Sequence, residues 1–329
     1  MSALAPVMEG FFTERLIAQR RASPHTVASY RDTFRLLLGF AQRQTGKAPS
    51  KLAIEDLDAV TVGAFLDHLE RERLNSVRTR NNRLAAIHSL FGYAALRHPE
   101  HAALIQRVLA IPAKRVQRKL VSFLTDDEVD ALLTAPDRNT WLGRRDHALL
   151  LVAIQTGLRV SELTSLTRGD VELGTGAHLR CHGKGRKERI TPLTTPVRSV
   201  LRVWLTERGG TPIDAVFPSR HGGPLSTDAV AFLVTKHART ASQRCPSLAA
   251  KTVSPHVLRH TCAMRLLAVG VDTSVIALWL GHEGTETTQI YLHADLTIKE
   301  RALARTAPTG TTPGRYRPPD TLLAFLEGL

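Results

Sequence analysis

The chain has 329 residues, 43% of them hydrophobic, which suits about two domains with ordinary cores. Lys+Arg outnumber Asp+Glu by 44 to 30, a net charge of +14, and that balance points to a polyanionic partner, nucleic acid first among them. Three scattered cysteines with no C-x-x-C argue against a disulfide framework or a thiolate zinc site; no apolar run approaches the roughly 18 residues of a membrane span, and no signal-peptide pattern opens the chain, so a cytoplasmic protein is expected.

Residues 1–111 read as short helices. Glu9 to Arg20 gives the first, and Ser23-Pro24 opens the second, with Tyr30, Phe34, Leu37, Leu38 and Ala41 at helical spacing. Thr61 to Arg71 gives the third, with Phe65, Leu66 and Leu69 inward. Ser76 precedes the fourth, whose core side is Leu84, Ile87, Phe91 and Ala94. Arg78, Arg80 and Arg83 cluster near the start of that helix, where guanidinium groups and a helix N-terminus can meet phosphates; a solvated helix face is the other reading. Residues 112–122 then read as a basic linker. Its cations Lys114, Arg115, Arg118 and Lys119 have no acid among them and are expected to lie along a phosphate backbone, or simply in water.

Thr125-x-x-Glu128 is a capping box for a helix with Val129, Leu132 and Leu133 on one side. Residues 144–156 form a buried helix stopped by Gly157, so Arg159 stands at the start of the next helix, with Glu162 three residues on as an orienting partner or a plain salt bridge. A strand from Ala177 to Cys181, a Gly-Lys-Gly turn and a return strand from Lys187 to Leu193 make a hairpin that pushes Lys184 outward. Helices over 197–207 and 227–240 carry nothing chemically distinctive.

The stretch from Ser254 to Tyr291 is different. Ser254-Pro255 starts a helix with His256 and Arg259 on one face, Leu258, Leu266 and Leu267 inward, and Gly270 at its end. A short helix follows from about Thr273 to Leu280, then Gly281, His282 and, nine residues later, Tyr291. Arginine clamps phosphate oxygens, histidine donates to them or moves a proton, and a phenol among cations is a usable nucleophile. A metal-dependent nuclease built on His256, His260, His282 and His293 is a rival, weakened by the absence of H-E-x-x-H and by Arg259 in their midst.

Arg159, Lys184, His256, Arg259, His282 and Tyr291, in the boxes TGLRVSEL, HGKGRKERITPL, SPHVLRHTCA, LGH and TTQIYLHAD, resemble the catalytic set of the tyrosine recombinase (phage integrase) family, above all its Xer-like and transposon-type integrases, over about residues 10 to 300. The stretches SPHTVASYRDTFRLLLGFAQ and SVRTRNNRLAAIHSLFGYA resemble its core-binding domain. The resemblance implies a mainly α fold with a small β-sheet: an N-terminal helical, SAM-like core-binding domain, then a mixed α/β catalytic domain over residues 123–300. It implies a site-specific recombinase that cuts and rejoins DNA through a 3′-phosphotyrosine, with no cofactor and no metal. Tyr291 would be the nucleophile, Arg159 and Arg259 the phosphate clamps, Lys184 the general acid, and His256 and His282 helpers; Glu162 supports them. Its partner would be double-stranded DNA, held by a homo-tetramer in the synapse, with a monomer or weak oligomer when free and related recombinase subunits as further candidates. A topoisomerase or resolvase of the same chemistry, and a DNA-binding regulator without strand exchange, are the alternatives. The tail, residues 301–329, is rich in Pro and Thr and ends in a leucine stripe that either lends a helix to a neighbouring subunit, packs on its own chain or stays disordered.

Overall fold

Side-chain caps set most α-helix starts among the described residues. The computed structural model describes residues 3–116, 121–182 and 188–281, and the chain divides into two units, residues 1–118 and 119–329. In the first unit α1 (Leu4–Gly10) runs on into a π-helical segment, Phe11–Gln19. Helix α2 (Pro24–Thr45) starts at Ser23, whose hydroxyl accepts from Thr26 N, and stops at Gly46, φ +71°. Asp58 caps α3 (Ala59–Arg71) and Ser76 caps α4 (Val77–Ala95); α5 (Ala102–Leu109) follows. Phe11, Phe34, Leu37, Phe65, Leu66, Leu84, Ile87 and Phe91 fill one core between them.

The sequence promised four short helices, whereas five α-helices and a π segment are present among the described residues, and α2 is 22 residues long. Helix α5 escaped notice because it has no side-chain cap at His101, though it buries Ile105 and Val108. The chain beyond it is pinned rather than loose. Arg80 Nη1 donates to Pro112 O at 3.0 Å, Asn81 bonds both the N–H and the C=O of Lys114, and Lys114 Nζ pairs with Glu70.

In the second unit the Thr125–Glu128 capping box opens α6 (Asp126–Thr134), and Thr140 opens α7 (Trp141–Thr156). Helix α8 (Val160–Ser165) leads to an antiparallel sheet of β1 (Val171–Glu172), β2 (His178–His182) and β3 (Glu188–Pro192), in that order. The two-residue β1 is too short to leave a period-2 pattern and was not foreseen. Helices α9 (Thr195–Arg208), α10 (Thr227–Ser242), α11 (Pro255–Ala268) and α12 (Thr273–Leu280) complete the described part. Helix α7 runs through the core against α9 and α11.

The reading of residues 227–240 as chemically plain needs correction. His237 on α10 is buried, and its Nε2 lies 2.8 Å from Asp146 Oδ2 on α7; Asp146 Oδ1 accepts from Arg145 Nε and Nη2, and Arg145 Nη1 donates to Pro218 O. Glu128 is likewise buried beneath Lys251 Nζ (2.6 Å) and Ser247 Oγ (2.7 Å). Burial raises the pKa of each carboxylate, but the hydrogen bonds and cations around it win and hold it below its ordinary range.

Candidate active site

Three chain breaks meet at the site. Helix α7 ends on Gly157 in a left-handed conformation, φ +63°. A Cβ there would stand 2.6 Å from Leu280 Cδ2 and 3.1 Å from Cys262 Sγ, so only glycine lets this terminus pack directly on α11 and α12. Helix α12 ends on Gly281, φ +65°. Helix α11 starts at Ser254 with Pro255 at its first position, which sets Arg259 in its second turn, 5% exposed.

Arg259 ties these ends together. Its Nη1 donates to Gly157 O and its Nη2 to Leu280 O, both at 2.6 Å. The carbonyl of the next residue, Gly281, accepts from Arg159 Nη2 at 2.8 Å. Two guanidinium groups from distant parts of the sequence therefore stand on consecutive carbonyls of one helix terminus.

Glu162 on α8 supports Arg159 from below, its side chain 3% exposed. Oε1 accepts from Arg159 Nη1 (2.9 Å) and Arg189 Nη1 (2.7 Å); Oε2 accepts from Arg159 N (2.8 Å) and Arg189 Nη2 (2.9 Å). Burial works to raise its pKa, but Arg189 and then Arg159 hold it lowered, so it is a carboxylate. Sequence reasoning missed Arg189. Among the basic residues of the return strand its signal was register: it pairs across the sheet with buried Cys181, and directly paired residues share a face.

His256 is exposed one turn before Arg259. His260 is half-buried, and burial, followed by the charges of His256 and Arg259, pushes it down to about 4, so it is neutral at pH 7. Burial pushes Cys181 up to about 11 and Cys262 up to about 12, which removes both thiols from nucleophilic chemistry. Lys184, His282 and Tyr291 lie outside the described residues, as do Arg118 and Lys119. In the first unit Arg78, Lys114 and Arg115 are exposed, Arg80 is 6% exposed, and Arg83 is half-buried with its pKa lowered by burial and by Arg73. Among the described residues no three His, Cys, Asp or Glu side chains come together as a ligand set, and no helix is long and apolar enough to cross a membrane.

Arg159 and Arg189 share the carboxylate of Glu162, and Arg259 joins Arg159 on the adjacent carbonyls of Leu280 and Gly281; the excess of positive charge in this partly dehydrated place suits an anion such as a phosphodiester. Residues 122–297 match the phage integrase family and residues 11–98 match the phage integrase N-terminal SAM-like domain. The chain belongs to the phage integrase family, the tyrosine recombinases, and its activity is site-specific breakage and rejoining of DNA.

Its relatives sit within that class. The chain is 59% identical over 328 residues to a Sinorhizobium fredii protein named integrase/recombinase y4rC, covering 100% of this chain and 99% of the other. It is 34% identical over 317 residues to the tyrosine recombinase XerC of Pelobacter propionicus, covering 94% and 99%. Among solved structures it is similar to the XerH site-specific recombinase bound to a palindromic difH substrate, with a TM-score of 0.68 and 22% identity over 87% of this chain and 81% of that one. It is also similar to the Tn1549 transposon integrase in complex with transposon right end DNA, with a TM-score of 0.68 and 16% identity over 92% and 99%. At these identities the structural likeness speaks for the fold: mainly α, with a small sheet.

Proposed function

We propose that Tyr291 is the nucleophile. Its phenolic oxygen attacks the scissile phosphorus, the bond to the 5′-oxygen breaks, and a 3′-phosphotyrosyl bond and a free 5′-hydroxyl result. Arg159 and Arg259 neutralise the non-bridging oxygens as charge gathers on them, Lys184 donates the proton that the leaving 5′-oxygen needs, His256 assists proton transfer, and His282 donates to the phosphate. The covalent link keeps the free energy of the phosphodiester, so another 5′-hydroxyl reverses the step onto a new strand without a cofactor or metal. The observation that carries this reading is the seating of Arg159 and Arg259 on the adjacent carbonyls of Gly281 and Leu280, immediately before His282 in the sequence.

Residues 1–111 serve as the core-binding domain, 112–122 as linker and 123–300 as catalytic domain. The XerH and Tn1549 structures hold DNA, and here a duplex is gripped through phosphates by Arg78, Arg83, Lys114, Arg115, Arg118 and Lys119. Arg80 acts through the backbone it holds at Pro112. Four protomers, of this chain or with related recombinase subunits, act on two duplexes in the cytoplasm, assembling from monomers or weak oligomers. Residues 301–329 carry a C-terminal helix for a neighbouring subunit.

The test is a nicked candidate site incubated with the protein and resolved under denaturing conditions. Wild type gives a shifted covalent protein–DNA band. Tyr291→Phe removes it, and Arg159→Ala or Arg259→Ala slows its appearance about 10²–10³-fold. A band that survives Tyr291→Phe overturns the assignment.

A further inference from the structure

Glu162 is saturated. A carboxylate has about four lone-pair sites, and here its two oxygens accept four N–H groups: two from Arg189, one from the guanidinium of Arg159 and one from the main chain of Arg159. Arg189 approaches fork to fork, one Nη on each oxygen, the preferred and stronger geometry. Arg159 is left with a single side-chain bond to Glu162 and another to Gly281 O. Its remaining donors have no partner among the described residues. Arg189 also shapes the other end of Arg159's seat: a Cβ on Gly281 would stand 3.0 Å from Arg189 Nη1 and 3.2 Å from its Cδ, so the arginine stem lies flat against the residue whose carbonyl holds Arg159.

We infer that Arg189 is a positioning residue for Arg159: by occupying one side of Glu162 it keeps Arg159 from closing both forks on that carboxylate, and so reserves donors of Arg159 for the scissile phosphate. The inference rests on the phosphate-binding role of Arg159 proposed above. Without Arg189, two lone-pair sites open on a carboxylate whose side chain is 3% exposed. Water reaches it poorly, and the nearest fork is that of Arg159, already 2.9 Å away. Arg159 turns inward to pair bidentately and gives up both Gly281 O and the phosphate. Lysine cannot replace Arg189, because a point charge on a flexible stem does not span two oxygens.

The test is single-turnover cleavage of the nicked site at saturating DNA by the full chain, using R189Q, R189K, E162Q, the double variants R189Q/E162Q and R189K/E162Q, and R159A. R189Q and R189K are expected to cleave about 10–100-fold more slowly, with the affinity for DNA and the thermal midpoint close to wild type. The decisive result is the double variant. Removing the carboxylate charge releases Arg159, so R189Q/E162Q is expected to cleave at least about threefold faster than R189Q alone. A double variant as slow as R189Q or slower means that Arg189 only supports the fold, and overturns the inference; if R189Q does not fold, the R189K pair gives the same comparison. R159A cleaving at the wild-type rate overturns instead the phosphate role of Arg159, and this inference with it.

Discussion

His260 and Arg189 show what one residue's surroundings do to its chemistry. The His260 ring is held neutral down to about pH 4, first by burial and then by the charges of His256 and Arg259, whereas an unfolded imidazole takes its proton near pH 6.5. A folded pKa below the unfolded one means that the stability tied to this ring is complete above pH 6.5 and is lost as the pH falls towards 4. The thermal midpoint is therefore expected to fall progressively across that window, and His260→Gln to flatten the fall; the same slope in both proteins would show that another group is responsible. None of this was legible from the residue alone. In the sequence His260 is one of several histidines near Arg259, and Arg189 is one of several cations after the Gly-Lys-Gly turn. What separates a neutral ring from a charged one, or a buried fork from a solvated one, is burial, which depends on chain segments far away in sequence.

Elements were legible where they announce their own ends. Ser23, Asp58, Ser76, Thr125, Thr140, Ser254 and Asp272 each accept a main-chain N–H at the start of a helix, and Gly46, Gly157 and Gly281 each stop one with positive φ. The uncapped α5 and the two-residue β1 had no such markers and went unread. Contacts between elements were the least legible of all. Asp146 and His237 are 91 positions apart, and although residues 144–156 read as a buried helix, nothing in Arg-Arg-Asp-His names the distant partner of its charges. Arg145, Asp146 and His237 have side chains about 5% exposed or less, so the cation of Arg145 is tolerated only because the carboxylate answers it. Asp146→Asn keeps the shape and removes the charge, and is expected to cost about 3–5 kcal/mol, read as a lower urea midpoint. A midpoint unchanged from wild type would mean that the Asp146 carboxylate is not what offsets Arg145.

For the molecule as a whole, the class of fold was readable because motifs such as those of Arg159 and Arg259 set a charged residue at or near a helix start, and that combination survives in one dimension. The electrostatics of the surface were not, because net charge does not say which cations are already paired. The +14 excess is shared, with 15 Lys+Arg against 10 Asp+Glu in residues 1–110 and 29 against 20 in the rest. Many of these cations are answered within the fold: Lys47 by Asp56, Arg97 by Glu14, Lys114 by Glu70, Arg144 by Glu207. A cation already held by a carboxylate or a carbonyl releases fewer counterions from DNA than a solvated one, so the salt dependence of binding sorts them. Arg78 and Arg115 are exposed, with no carboxylate partner among the described residues. Replacing either with alanine is expected to lower the magnitude of the log–log salt slope by about one. Lys114→Ala is expected to lower it less, since Glu70 already holds that ammonium. Arg80→Ala is expected to leave the slope alone and reduce stability, because its guanidinium is buried and bonded to Pro112 O. Anisotropy titrations of a generic duplex over a series of salt concentrations measure all four, since this part of the affinity does not depend on sequence. Unchanged slopes for Arg78→Ala and Arg115→Ala would remove both from the phosphate contacts and shift the burden onto the second unit, where the larger share of the positive charge resides.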